Sequence, residues 1–155
     1  FLGSGYYFWD YNINMAQRWG KTHYRNRYRI LEFDLKINCE EYLDLVGDRK
    51  DIEFLQKIRL KLISDGFNIK ELKFGQLIEF LKKINKRNPG VFPISIIRAL
   101  DYDSKNYASM IEFEEINKHR INLDPCIIIC FFSKESLLLS TCKIIFNSKK
   151  DVKSR

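Results

Sequence analysis

Three sets of residues in this chain have the types and spacing to do chemistry. The first is Gly3-Ser4-Gly5 running into Tyr6-Tyr7-Phe8-Trp9 and Asp10. Glycine admits positive φ and the close approach of a second backbone, and the four rings behind it offer π faces for packing or stacking. The second is a basic cluster, Lys21, Arg25, Arg27 and Arg29, interleaved with His23, Tyr24 and Tyr28. Cations mixed with aromatics suit a nucleic acid, and the same pattern also fits a solvated face. The third is the acidic run Glu112, Glu114 and Glu115. Metal chemistry is not expected. Cys39, Cys126, Cys130 and Cys142 form no Cys-x-x-Cys pair, and only His23 and His119 are available beside them.

These residues must be held by elements, and hydrophobic periodicity says which. The glycine pair predicts a tight turn feeding a short strand over Gly5–Trp9. Alternation then puts Tyr7 and Trp9 on one face, with Tyr6 and Phe8 on the other. A helix is expected from Asn12, a good N-cap, to Gly20 at the C′ position. Arg29 to Ile37 alternates as a half-buried strand with Leu31, Phe33, Leu35 and Ile37 on one face. Tyr42-Leu43-Asp44-Leu45 comes next, with Asp44 either capping the next segment or facing solvent.

Helical spacing then runs from Asp48 to Ser64, stopped by Gly66. It resumes through Leu72, Leu77, Leu81 and Ile84 until the turn signal Asn88-Pro89-Gly90. Pro93 to Leu100 reads as a third, short helix with Pro at its first position. Strands return over Tyr107–Phe113, Pro125–Phe132 and Leu137–Phe146. Of these, the apolar run Cys126–Phe132 has the character of a central strand covered on both faces. Cys126 and Cys130, inside that run, are expected as buried free thiols, which fits a reducing, cytoplasmic location.

At 155 residues the chain is read as a single domain, residues 1–155. Its apolar content of 45% excludes a disordered tail. The formal charge of +7 favours a polyanionic partner, although a lysine-rich surface also serves solubility alone. No stretch approaches the roughly 20 apolar residues of a membrane helix, and no membrane association is expected.

The first stretch resembles a signature of the ADP-ribosyltransferase superfamily, in its poly-ADP-ribose-polymerase and diphtheria-toxin-like clade. Gly3-Ser4-Gly5-Tyr6-Tyr7-Phe8, then Asp10, then Ala16 on a helix, match that signature in order. The chain is also similar to bacterial proteins of this fold, through the run Leu2–Trp9, through Ala16 and Trp19, and through Leu43-Asp44-Leu45. The likeness covers about the first third of the chain well. It implies an α+β fold with a split antiparallel β core and a helical insertion over about residues 48–100. It implies NAD as substrate, with Tyr7 stacking on the nicotinamide ring and lining a pocket while Tyr6 packs in the core. Gly3, Ser4, Gly5 and Ala16 would approach the dinucleotide. Arg25, Arg27 and Arg29 would lie beside the cleft and bind the acceptor or the pyrophosphate. The clade's His-Gly strand, which fixes the nicotinamide ribose, would precede Phe1. Met15 stands where many eukaryotic polymerases carry Ser.

ADP-ribosyl transfer passes through an oxocarbenium-like state, and a carboxylate near the ribose 2′-hydroxyl stabilises it. Glu112, Glu114 and Glu115 are the candidates. Glu114 ranks first, as a carboxylate at a strand end facing a cleft. If the acid belongs instead on the late core strand, Ile128 occupies its position and the site has no acid. The expected function is therefore an NAD-dependent mono-ADP-ribosyltransferase, a bacterial or phage-defence toxin modifying nucleic acid or protein and paired with an antitoxin. The alternative is a catalytically degenerate module of the same fold that binds NAD or nucleic acid.

Overall fold

A computed structural model describes residues 2–25, 27–35, 37–101, 110–112, 120–135, 137 and 139–148. The described residues form an α+β protein. Its centre is a mixed sheet of four strands: β1 (Tyr6–Trp9), β3 (Tyr42–Asp44), β4 (Ile96–Leu100) and β7 (Ile127–Phe131), in the spatial order β1-β7-β4-β3. β7 is antiparallel to both β1 and β4, and β3 runs parallel to β4. Two antiparallel ribbons stand apart from it: β2 (Arg29–Glu32) with β8 (Lys143–Asn147), and β5 (Met110–Glu112) with β6 (Arg120–Asn122). The core is thus not purely antiparallel. A parallel pair needs a long crossover, and the helical block supplies it.

That block holds α2 (Arg49–Ser64) and α3 (Phe74–Arg87), between β3 and β4 in the chain. Each start is fixed locally. The Asp48 side chain accepts from the N–H of Lys50 at 2.8 Å, and the N–H of Lys73 donates to Gln76 Oε1 at 2.9 Å. Asn85 closes the exit from α3, its side-chain oxygen accepting from the N–H groups of Gly90 and Phe92 at 3.0 Å each. Leu62, Leu77, Ile78 and Leu81 of these helices pack with Leu43, Ile97, Ala99, Ile128 and Cys130 of the sheet. On the other sheet face a smaller cluster joins Ile96, Ile129 and Phe131 to Phe8, Leu35, Tyr42 and Leu137. Cys126 and Cys130 are buried, as the apolar run implied.

Three readings of local structure are corrected. The segment expected as a third helix, Pro93–Leu100, is instead β4, with Ile97 and Ala99 on the helix side and Ile96 and Arg98 on the other. Its β-branched residues suit a pleated, doubly covered strand, and five residues are too few for period 2 to separate from period 3.6. The strand expected over Arg29–Ile37 pairs only through Glu32, with an isolated bridge at Leu35. Ile30 is buried and Leu31 exposed, the reverse of the expected face; the pairing register shifts at this point because Ile145 of β8 is an extra, unpaired residue. The first helix, α1 (Ile13–Tyr24), starts from Asn12 as expected but runs past Gly20. Gly20 is no cap. A Cβ there would lie 2.3 Å from the Tyr28 ring, which stacks on Phe146 of β8.

Candidate functional site

The site inferred from the sequence is centred on β1, an edge strand of the central sheet. Gly3, with φ +102°, makes the turn before it. Gly5 is needed for a different reason: a Cβ there would meet the Phe131 carbonyl oxygen at 2.5 Å and Cys130 Sγ at 2.6 Å. The turn is fastened to α3. Glu79 Oε1 accepts from the Ser4 N–H at 2.6 Å and from Lys82 Nζ at 2.9 Å, and Lys82 also donates to the Ser4 carbonyl at 3.2 Å. These bonds, with the Ser4 N–H first and Lys82 next, hold the Glu79 carboxyl below its ordinary value. Lys82 Nζ also lies 4.3 Å from the centre of the Phe132 ring.

Tyr6 and Tyr7 point to opposite faces, as alternation requires. The roles expected of them are reversed in burial. Tyr7 is partly buried against the helix-covered core, whereas Tyr6 is 41% exposed, with Lys134 Nζ 5.3 Å from its ring centre. Tyr6 opens an edge strand, whereas Phe8, two residues on along the same face, packs against Phe33 and Phe131. The Tyr7 hydroxyl donates to the Gly3 carbonyl, closing the glycine turn on itself. Burial, then the neighbouring Cys130 thiol, pushes the Tyr7 hydroxyl above its ordinary value, so it is a hydrogen-bond donor at neutral pH.

At its other end β1 meets a charged group that the sequence did not reveal. Arg98, on β4, reaches across β7 to Asp10 and sideways to Asp44. Nε and Nη2 each lie 3.0 Å from Asp10 Oδ2, while Nη1 is 3.1 and 3.0 Å from the two Asp44 oxygens. The three side chains are only 17–22% exposed. Burial pushes the Asp44 carboxyl up, but the N–H groups of Gly47 and Val46 and the Arg98 guanidinium outweigh it and leave the group below its ordinary value. Burial likewise lowers Arg98, and the bonds to Asp10 and Asp44 more than offset it. Beside them Tyr42 is pushed up to about 12, by burial first and the Asp44 charge second. Asp44 is therefore neither helix cap nor solvent-facing: Asp48 caps α2, and Asp44 binds Arg98. Asp10 and Asp44 both stood in the signature stretches. Their partner was hidden inside Ile96-Ile97-Arg98-Ala99-Leu100, where a cation in an apolar run is itself a sign of a buried pair.

The remaining candidates do not converge. Ala16 is on the first turn of α1, its N–H donating to the Asn12 carbonyl at 3.2 Å. Arg25 closes α1 with φ +54°, and Arg27 and Arg29 are exposed beyond it. A cleft of about 290 Å³ opens on the helix side of the sheet, lined by Leu2, Lys73, Phe74, Ala99, Asp101 and Ile128 among others. Neither Tyr7 nor Arg25, Arg27 or Arg29 lines this cleft. Glu112 pairs with Arg120 between β5 and β6 through the backbone register. Glu114 and Glu115 lie outside the described residues. Ile128 is 3% exposed and packs in the main core.

No family model, curated protein or solved structure matches this chain. Among the described residues no helix is long and apolar enough to cross a membrane.

Proposed function

We propose that the chain is an ADP-ribosyltransferase-like domain whose β1 and glycine turn serve NAD, transferring ADP-ribose to a nucleic acid or a protein. The observation that carries the reading is the concentration of constraints on the signature stretch. Gly3 has a φ that side chains avoid, Gly5 has no room for a Cβ, Tyr7 locks the turn, and Asp10 is held by Arg98. Tyr7 would stack on the nicotinamide ring. The carboxylate of the reaction would come from Glu114, or from Glu112 or Glu115. The domain fits a toxin acting inside a cell and restrained by an antitoxin.

A second reading has one observation in its favour. Ile128, the position a late-strand acid would take, is buried in an apolar core. On that reading the domain binds NAD or nucleic acid without turnover. One experiment separates the two. The protein is incubated with NAD labelled in its adenylate, together with RNA, DNA or cell lysate, and nicotinamide release and acceptor labelling are measured. Transfer or release supports the enzyme. Saturable NAD binding without release supports the degenerate module. Absence of release, labelling and binding alike would remove NAD as a ligand.

A further inference from the structure

We infer that the C-terminal half of α1 and the turn after it form a binding platform for single-stranded nucleic acid. From Tyr11 to Arg29 the sequence has five arginines and lysines (Arg18, Lys21, Arg25, Arg27, Arg29) and no aspartate or glutamate. Lys21, Arg25, Arg27 and Arg29 are exposed and make no ion pair among the described residues. Cations in the last turn of a helix are expected to complement its dipole. That accounts for Lys21, but not for Arg25, Arg27 and Arg29, which lie beyond the last turn.

The cations alone specify only a polyanion. The rings beside them specify more. Trp9, packed against the main core, lies 5.7 Å from Trp19, and Trp19 lies 3.7 Å from the His23 ring at an interplanar angle of 23°. His23 Nδ1 is 3.1 Å from the Trp19 carbonyl oxygen, which fixes the imidazole orientation. The outcome is a ladder of rings rooted in the core and ending at an exposed imidazole, with Tyr24 next to it at 60% exposure. A base stacked on His23 would extend a stack that is already ordered, so little ring entropy is lost on binding. Only an unpaired base has a free face for this, since a duplex hides its faces within the helix. The platform deepens the nucleic-acid arm of the proposed function, and it rests on that reading only for the transfer of ADP-ribose to the bound strand.

The test is fluorescence anisotropy without NAD, using a single strand of about 12 nucleotides as DNA, as RNA and as the matched duplex. Wild-type protein is expected to bind either single strand more tightly than the duplex, with affinity falling steeply with salt. The double variant Arg27→Gln/Arg29→Gln should reduce the salt slope by roughly 1.4, two phosphate contacts on a single strand. His23→Ala should weaken single-strand binding about tenfold by loss of one stacking contact, with no change for the duplex. Both variants alter exposed side chains, and thermal midpoints within a few degrees of wild type check that they remain folded. Absence of binding at low salt, equal binding of the duplex, or an unchanged slope in the double variant would each overturn the inference. Nicotinamide release, measured without nucleic acid, reports on the NAD reading separately.

Discussion

At its N-terminal end β1 is tied to α3 through a backbone N–H, a carbonyl and an i,i+3 ion pair whose Lys82 and Glu79 side chains are 23% and 35% exposed. At its C-terminal end it is tied across two further strands through one guanidinium and two carboxylates, all at most 22% exposed. The difference is one of dielectric and geometry. A bond to water-exposed groups is easily exchanged and screened, whereas a covered, two-sided arginine clamp is costly to break because it leaves charges without partners. The tie between Ser4 and α3 is therefore the weaker of the two, and the clamp at Asp10 fixes the far end of β1.

The contrast between the two ends breaks most visibly at Arg98. Arg98→Met keeps most of the side-chain length but leaves Asp10 and Asp44 facing each other without their cation. It should cost about 3 kcal/mol, which for a domain of this size is about 10 °C in thermal midpoint. The loss should also depend on pH. The Asp44 carboxyl titrates below its ordinary value in the folded protein. The stability it confers is therefore complete above about pH 4 and is lost as pH falls below that, toward the lowered folded value. The gap between wild type and Arg98→Met, read by urea unfolding, should narrow over that acid range. A gap that is constant with pH would mean that Arg98 stabilises by packing alone.

Gly5→Ala comes next. Its Cβ would meet backbone, the Phe131 carbonyl, as well as the fully buried Cys130 sulfur. The β1–β7 pairing must open at its first residue pair, Tyr6 with Phe131, at about 2 kcal/mol. The expected signature is lost amide protection at the start of β1 with Asp10 still held, since the clamp lies at the opposite end. Uniform loss along β1 would show that the two ends are not independent.

Glu79→Gln should be the mildest, roughly 0.5 kcal/mol, because exposed pairs contribute little. The Glu79 carboxyl is also held below its ordinary value. Its contribution is therefore present above the ordinary glutamate value, about 4.3, and fades as pH falls below it. Added salt should shrink the Glu79→Gln effect and leave that of Arg98→Met nearly unchanged. Equal salt sensitivity would remove the distinction between the two ends.

How far the sequence spoke depended on whether an element carries its own signal. α2 and α3 repeat apolar residues over several turns, and β7 is a continuous apolar run, so these were legible. β4 was not, because Ile94, Ile96 and Ile97 around Ser95 satisfy both periods, and misreading it hid Arg98. The face of β2 was not legible because Ile30 and Leu31 are apolar neighbours, so alternation alone does not say which of them is covered. Gly20 was legible as a special position but not as the seat of Tyr28, eight residues on. The contact between Ser4 and Glu79 joins residues 75 apart, and no local pattern announces such a pairing. Of the candidate site, the constrained stretch Gly3–Asp10 was legible, but not which of its faces is covered.

The most direct test of the NAD reading is the rate of nicotinamide release by wild type, Tyr7→Phe and Tyr7→Leu. Tyr7→Phe keeps the ring and loses the hydroxyl, with its bond to the Gly3 carbonyl and its contact with the Cys130 thiol. Tyr7→Leu keeps most of the apolar volume, which limits the stability cost to about 1.5 kcal/mol, and removes the stacking face. If β1 serves NAD, wild type releases nicotinamide, Tyr7→Phe retains most of that rate, and Tyr7→Leu loses about 5- to 150-fold, the kinetic equivalent of about 1–3 kcal/mol of stacking. No release by wild type, or an undiminished rate in Tyr7→Leu, would contradict the NAD reading and leave the aromatic strand as core packing alone.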